Sequence, residues 1–187
     1  MRVISGIARG TKLNSIDSDD TRPTLDRVKE AFFSSIQSNI NEETLILDLF
    51  AGSGQIGIEF LSRGAKKAYF CEKNSFAVSM IKQNLEKTRF TKNAVIINKD
   101  YKKALEKLKE ENIRFNIIYI DPPYKLDIAV KSTEYILNNN LLGKQGIIII
   151  ETDEEERELS ELEKLDIEIY NKKKYGRVKL IYLRRKE

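Results

Sequence analysis

The chain has 187 residues, a length that suits one domain with a small appendage and a real buried core. It is 41% hydrophobic and 33% charged, with 33 basic and 29 acidic residues and a net charge of +4, which excludes a disordered polyelectrolyte. Zero histidines and one cysteine exclude a histidine general base, a Ser-His-Asp triad, a multi-cysteine metal site and an internal disulfide, so no metal is expected.

The charge is segregated. Arg2, Arg9 and Lys12 stand in the first twelve residues without an acid, and residues 171–187 hold eight basic residues against Glu187. Basic ends around a near-neutral middle suit a polyanionic partner approached from one side. The longest apolar runs, 117–120 and 147–150, are far too short to span a bilayer. Met1 leads into a basic, mixed segment without an apolar signal region, so a cytoplasmic location is expected. Cys71 lies in the apolar stretch 68–71 and reads as a small buried hydrophobe.

Residues 2–12, with Gly6 and Gly10, read as a short hairpin or extended arm. A polar loop follows at 15–20. Pro23 and Thr24 mark a helix start, with Thr24 as the capping residue and Leu25, Val28, Phe32 and Ile36 as its apolar stripe. From residue 44, strands alternate with helices. Strands are expected at 44–50, 67–72, 95–98, 116–121 and 145–151. Helices are expected to about 62, then at 75–87, 101–111, 127–138 and 155–163. Two last strands, 167–173 and 177–184, meet in a hairpin at Tyr175 and Gly176. Uninterrupted apolar strands alternating with helices predict a doubly wound α/β sheet, mostly parallel, with an antiparallel end.

The first strand runs into Asp48-Leu-Phe-Ala-Gly-Ser-Gly-Gln-Ile-Gly57. Gly52, Gly54 and Gly57 fit the spacing of a nucleotide-binding turn between strand and helix. Glu72, at the end of the second strand, suits the two hydroxyls of a ribose. Such a turn serves dinucleotides, with a pyrophosphate on the helix N-terminus, and equally S-adenosylmethionine, which carries an ammonium and a sulfonium instead. Asp48 favours the second, because a carboxylate there repels a pyrophosphate and attracts an ammonium. Asp100, after the third strand, suits an adenine amino group with Tyr101 beside the ring, and equally suits a helix cap.

The fourth strand delivers Asp121-Pro122-Pro123-Tyr124 to the same edge of the sheet. The prolines remove two backbone donors and stiffen the loop. What remains is acceptors, the Asp121 carboxylate and the Pro122 carbonyl among them, beside the flat face of Tyr124. That set fits an aromatic amine, whose lone pair is delocalised into its ring. Accepting both N–H bonds favours a pyramidal nitrogen and stabilises the positive charge that develops on it. Tyr124 would stack on the base once it is turned out.

The stretch Asp48–Gly57 resembles the cofactor motif of class I methyltransferases, and Asp121–Tyr124 resembles the motif of enzymes methylating adenine N6, cytosine N4 or guanine N2. Arg2–Gly6, Arg9–Leu13, Thr21–Glu30, Phe50–Gly54, Leu61–Ala65 and the Tyr175–Gly176 hairpin look like the family of bacterial 16S rRNA guanine-N2 methyltransferases, nearly end to end. The resemblance implies one Rossmann-like methyltransferase domain over 1–187, with a basic arm at 1–20, a catalytic core at 21–187 and a seven-stranded sheet. It implies S-adenosylmethionine held by Asp48, Phe50, Ala51, Gly52, Ser53, Gly54 and Gly57, by Glu72 and Lys73, and by Asp100 and Tyr101. Thr21, Arg22, Pro23 and Thr24 would close over it, and Asp121, Pro122, Pro123 and Tyr124 would hold the guanine. Arg2, Arg9, Lys12, Arg22 and Arg27 would meet RNA phosphates. The implied partner is 16S rRNA, in the 30S subunit or a late assembly intermediate. Gln55 departs from the smaller residue the pattern leads one to expect. A DNA adenine-N6 methyltransferase, an NAD-dependent oxidoreductase and a non-catalytic RNA-binding protein remain the alternatives.

Overall fold

The computed structural model describes residues 1–15, 23–123, 127–153, 155–176 and 178–186, with backbone alone at 23–25. Thirteen elements follow in chain order: α1 (Pro23–Ile36), β1 (Leu45–Asp48), α2 (Gln55–Ser62), β2 (Lys67–Cys71), α3 (Ser75–Thr88), β3 (Ala94–Ile97), α4 (Tyr101–Glu110), β4 (Phe115–Ile120), α5 (Ile128–Asn138), β5 (Leu142–Thr152), α6 (Glu155–Leu162), β6 (Glu168–Tyr175) and β7 (Val178–Arg184). The sheet order is β3-β2-β1-β4-β5-β7-β6. The first five strands are parallel, and β7 pairs antiparallel with β5 and β6. This is the Rossmann-like arrangement expected from the alternating pattern, with order reversing between β1 and β4, where such sheets open a crevice.

Both faces of the sheet are buried, which is why 117–120 and 147–150 are apolar throughout. Ile46, Ile117, Tyr119, Ile147 and Ile149 face one core, with Phe32, Phe33 and Phe60. Leu47, Ile118, Ile120, Ile148 and Ile150 face the other, with Leu105, Leu108 and Ile136. Alternate residues of one strand thus enter opposite layers. The strand phases place Asp48, Tyr119, Asp121 and Glu151 on the first face. Asp48 is level with Tyr119, and Ile120 with Ile150.

Beside shifts of one or two residues at other element ends, three differences from the sequence reading have a physical reason. Helix α1 begins at Pro23, so Thr24 is its second residue and not its cap; proline's fixed φ suits the first helical position, where its missing N–H costs nothing. Strand β5 starts at Leu142, because Phe115 pairs with Leu142 ahead of a register shift, and Gly143 and Gly146 hide that segment from an apolar-pattern reading. The amino-terminal arm closes through a single antiparallel bridge, Arg2 to Lys12, flanked by bonds from the Val3 amide to the Thr11 carbonyl and from the Gly10 amide to the Val3 carbonyl. It is a hairpin-like turn and forms no strand. No helix among the described residues is long and apolar enough to cross a membrane.

The arm is fastened to α2 by a buried carboxylate. Glu59, with no exposed surface, accepts the amides of Ile4 and Ser5 at 2.9 and 3.0 Å and Nε of Arg63 at 2.9 Å. Lys29 Nζ lies 3.5 Å away, and burial pulls its pKa down while Glu59 opposes the shift. Two cations and two amides around one anion is the degree of pairing a buried charge needs.

Candidate active site at the carboxyl edge of the sheet

The turn after β1 is held by hydrogen bonds from its glycine amides. The Gly52 amide donates to Glu72 Oε2 at 2.9 Å, the Gly57 amide to Asp48 Oδ2 at 3.1 Å, and the Gly54 amide to the Ala51 carbonyl at 2.7 Å. Gly54 stands at φ 80° ahead of α2, a conformation that disfavours side chains. A Cβ at Gly57 would lie 2.3 Å from the Phe70 ring, so α2 can settle on β2 only with glycine there.

Asp48, Phe50, Ala51, Gly52, Ser53 and Asp121 line one cavity of about 180 Å³. The glycine turn and the acid of the Asp-Pro-Pro motif, 69 residues apart in the sequence, therefore share a space. Asp48 is 2% exposed, and burial raises its pKa to about 7 against the pull of the Gly57 amide, with Glu72 adding a smaller push. A carboxylate buried beside an open cavity, accepting the Gly57 amide, is suited to a cationic guest.

Glu72, Lys73, Asp100 and Tyr101, also predicted for the cofactor, follow β2 and β3 at the same edge of the sheet without lining this cavity. Glu72 spans the turn, its Oε1 taking the Asn74 amide at 2.8 Å. Asn98 bonds the carbonyls of Glu72 and Lys73. Asp100 caps α4, accepting the Lys102 and Lys103 amides at 3.0 and 3.3 Å, so the capping reading of this residue is realised. Tyr101 packs on Phe50 at 5.6 Å between ring centroids, which joins its position to the cavity wall. Thr21, Arg22 and Tyr124 lie outside the described residues, as do the side chains of Pro23 and Thr24. Pro122 is buried and Pro123 exposed.

A second cavity, of about 130 Å³, opens beyond Asp121. Its apolar wall includes Val28, Phe32, Ile56 and Leu180, and its polar wall includes Lys29, Asp121 and Glu151. Gln55, Ile56, Tyr119 and Asp121 line both cavities, so Asp121 stands at their junction. Burial raises the Asp121 pKa to about 8, with further pushes from the charges of Glu151 and Asp48. Burial also raises Glu151, opposed by the hydroxyl of Tyr119, which donates to Glu151 Oε2. Two carboxylates in one recess hold their protons above the ordinary range, and the pair titrates as a unit.

Glu151 and Tyr119 were not singled out from the sequence. The signal was there for Glu151: it follows the apolar run 147–150 just as Asp121 follows 117–120. The basic residues of the arm also converge. Arg2, Arg9, Lys12 and Arg27 are exposed and line a groove of about 570 Å³ that meets the second cavity at Met1 and Asp26. Arg2 is held there by Asp26 at 2.9 Å. Cys71 is buried, its pKa raised by burial to about 12, which fits an unreactive thiol.

A family model described as "Conserved hypothetical protein 95" matches residues 1–184. A candidate rRNA methyltransferase of Bacillus subtilis is 37% identical over 155 residues, which cover 83% of this chain and 84% of that protein. The ribosomal RNA small subunit methyltransferase D of Haemophilus influenzae is 35% identical over 158 residues, 83% of this chain and 80% of that one. Among solved structures, a candidate methyltransferase of Escherichia coli superposes with a TM-score of 0.78 at 27% identity, over 100% of this chain and 99% of that one.

Proposed function

The chain belongs to the Conserved hypothetical protein 95 family, and from that footing we propose that it transfers a methyl group from S-adenosylmethionine to the exocyclic N2 amine of a guanine in 16S rRNA. The observation that carries the reading is the single cavity shared by Asp48, the Gly52–Gly54 turn and Asp121. The relatives named above, of which one is a small-subunit rRNA methyltransferase, supply the substrate class.

The donor fits the residues present. Its ammonium answers the Asp48 carboxylate, whose proton affinity is raised by burial. When bound, S-adenosylmethionine supplies an electrophilic methyl on a cationic sulfur. Phe50, Ala51, Gly52 and Ser53 enclose it, Glu72 and Lys73 stand at its ribose, and Asp100 and Tyr101 at its adenine. Gly54 and Gly57 keep α2 close enough to shape the pocket.

On the substrate side, Asp121 and the Pro122 carbonyl accept the two N–H bonds of the amine and turn its lone pair toward the first cavity. The same acceptors stabilise the charge that grows on nitrogen, an effect stronger in the transition state than before it. Pro123 stiffens the loop and Tyr124 stacks on the base. Thr21, Arg22, Pro23 and Thr24 close the cofactor side. Arg2, Arg9, Lys12 and Arg27 carry RNA phosphates along the basic groove to the recess, and Arg22 is assigned to phosphates as well. We place that rRNA within the 30S subunit or a late assembly intermediate, in the cytoplasm, on the footing of the small-subunit relative named above.

The test is mass mapping of methylated nucleotides in 16S rRNA from cells with and without this protein. One N2-methylguanine should disappear in its absence and return on incubating deficient subunits with the protein and labelled donor. Label entering duplex DNA alone, or an adenine of the rRNA, would refute the assignment.

A further inference from the structure

Beyond Asp121 lies a recess that ends on a second carboxylate. Glu151, the penultimate residue of β5, lines it together with Asp121, under apolar walls from Val28, Phe32, Ile56 and Leu180. Apolar walls around a few polar groups at one end describe a slot for a flat heterocycle that presents its polar edge to those groups. Tyr119 fixes the carboxylate: its hydroxyl donates to Oε2 of Glu151 and its ring is held by Phe32 at 5.6 Å. Oε1 is the second oxygen of Glu151, and the Tyr119 hydroxyl, by donating to the other, favours the ionised form, which only accepts, against the burial that raises its proton affinity.

We propose that Glu151, oriented by Tyr119, selects guanine by accepting its N1–H while Asp121 holds the neighbouring N2 amine. The assignment rests on the guanine-N2 reading above and adds the residue that would enforce it. Guanine carries two adjacent donors on its pairing edge, N1–H and N2–H2. Adenine and cytosine each set their amine beside a ring nitrogen that bears a lone pair. Two side-by-side carboxylates satisfy the first pattern and repel the second. A site whose buried acceptor is left facing another lone pair discriminates more strongly than one missing a methylene. Strand register supports the pairing of roles: Ile120 lies level with Ile150, so Asp121 and Glu151 leave adjacent strands side by side on one face.

The experiment uses small-subunit rRNA ligated so that the mapped nucleotide is guanine or 2-aminopurine, reconstituted with subunit proteins. 2-Aminopurine keeps the N2 amine and replaces N1–H by a lone pair. The protein should favour guanine by about a hundredfold or more in kcat/KM. In Glu151→Gln the carboxamide can turn either its oxygen to N1–H or its NH2 to the lone pair, so the ratio should fall by about tenfold or more. Tyr119→Phe, which leaves the carboxylate but not its orientation, should shift the ratio the same way by less. S-adenosylmethionine affinity, measured by calorimetry, should stay within about twofold in Glu151→Gln, because Glu151 lines the second cavity and not the first, which separates a lost base contact from a damaged fold. Wild-type ratios in both variants, or a wild-type protein indifferent to the substitution, would overturn the role of Glu151 and leave guanine-N2 methylation standing. A wild-type protein that methylates no guanine N2 would instead overturn the function on which it rests.

Discussion

Replacing Asp48 with asparagine should make the protein more stable and a poorer binder of its cofactor, and the gain in stability should grow with pH. In the unfolded chain this aspartate titrates at its ordinary value, 3.8, and is ionised throughout the neutral range. In the folded protein burial holds the proton until about pH 7. Between those values the folded state binds the extra proton, so stability falls as pH rises through the window, the reverse of an aspartate in a salt bridge. From about pH 5.5 to about pH 8.5 the loss falls almost entirely in the roughly one and a half units below the folded pKa, worth about 2 kcal/mol at 1.36 kcal/mol per unit, and it levels off above it. Asparagine has no charge to lose, and its side-chain oxygen can still accept the Gly57 amide. The variant's advantage over the wild type should therefore widen by about 2 kcal/mol across that range, or about 4–8 °C in Tm for a chain of this size. Removing the charge also relieves Asp121, which Asp48 pushes upward, and that acts in the same direction. Differential scanning calorimetry of both proteins at several pH values measures it. S-adenosylmethionine binding should meanwhile weaken by about 1.5–3 kcal/mol, the value of a hydrogen bond to a charged group. A stability difference that stays flat with pH would refute the argument, because it would mean that the buried carboxylate is paid for by a partner the apo structure already contains.

Asp121→Ala should abolish methylation while leaving cofactor affinity within about threefold, checked by single-turnover assay and calorimetry. Glu59→Ala should cost about 3–5 kcal/mol by urea unfolding, because it strands Lys29 and Arg63 without their anion and the Ile4 and Ser5 amides without an acceptor. Proteolysis should then cut residues 1–12 faster than the core. Arg9→Glu and Lys12→Glu should each lower the slope of log K against log salt for rRNA binding by about one or more, read by filter binding; an unchanged slope would place the RNA elsewhere.

The fold was legible because each layer left a separate mark. Strands covered on both faces need unbroken apolar runs, and 117–120 and 147–150 supply them. The terminal hairpin shows itself in Tyr175 and Gly176. Errors fall where tertiary pairing overrides local pattern: Leu142 joins β5 because Phe115 is waiting for it, across two glycines that read as a break. The arm's single bridge looked like a hairpin because β-branched residues and glycines prescribe extended chain and turn, while its actual hold comes from Glu59, 55 residues away from Ile4. No local pattern announces a carboxylate that faces inward from a helix to catch another segment's amides.

The site was half legible for the same reason. Asp48 and Asp121 stand in motifs whose neighbours, glycine or proline, give them away. Glu151 has no such neighbours, and only its place in the sheet marks it. Across the parallel strands, in the order β3, β2, β1, β4 and β5, the carboxyl edge bears Asp100, Glu72, Asp48, Asp121 and Glu151. An acid at the end of every parallel strand is unfavourable for an empty protein: burial raises the proton affinities of Asp48, Asp121 and Glu151, and neighbouring acids add to it at Asp48 and Asp121. Helix N-termini relieve only part of it: Asp100 caps α4 and Asp48 takes the Gly57 amide in the first turn of α2. The arrangement makes physical sense for ligands that are cationic or rich in N–H donors from one end of the row to the other. A donor bearing an ammonium, a sulfonium, ribose hydroxyls and an adenine amine would occupy the first four positions. A guanine pairing edge would complete the fourth and take the fifth. Sites of this kind are read from a sequence by finding where each parallel strand stops and asking what the first polar residue there is, before any motif is sought.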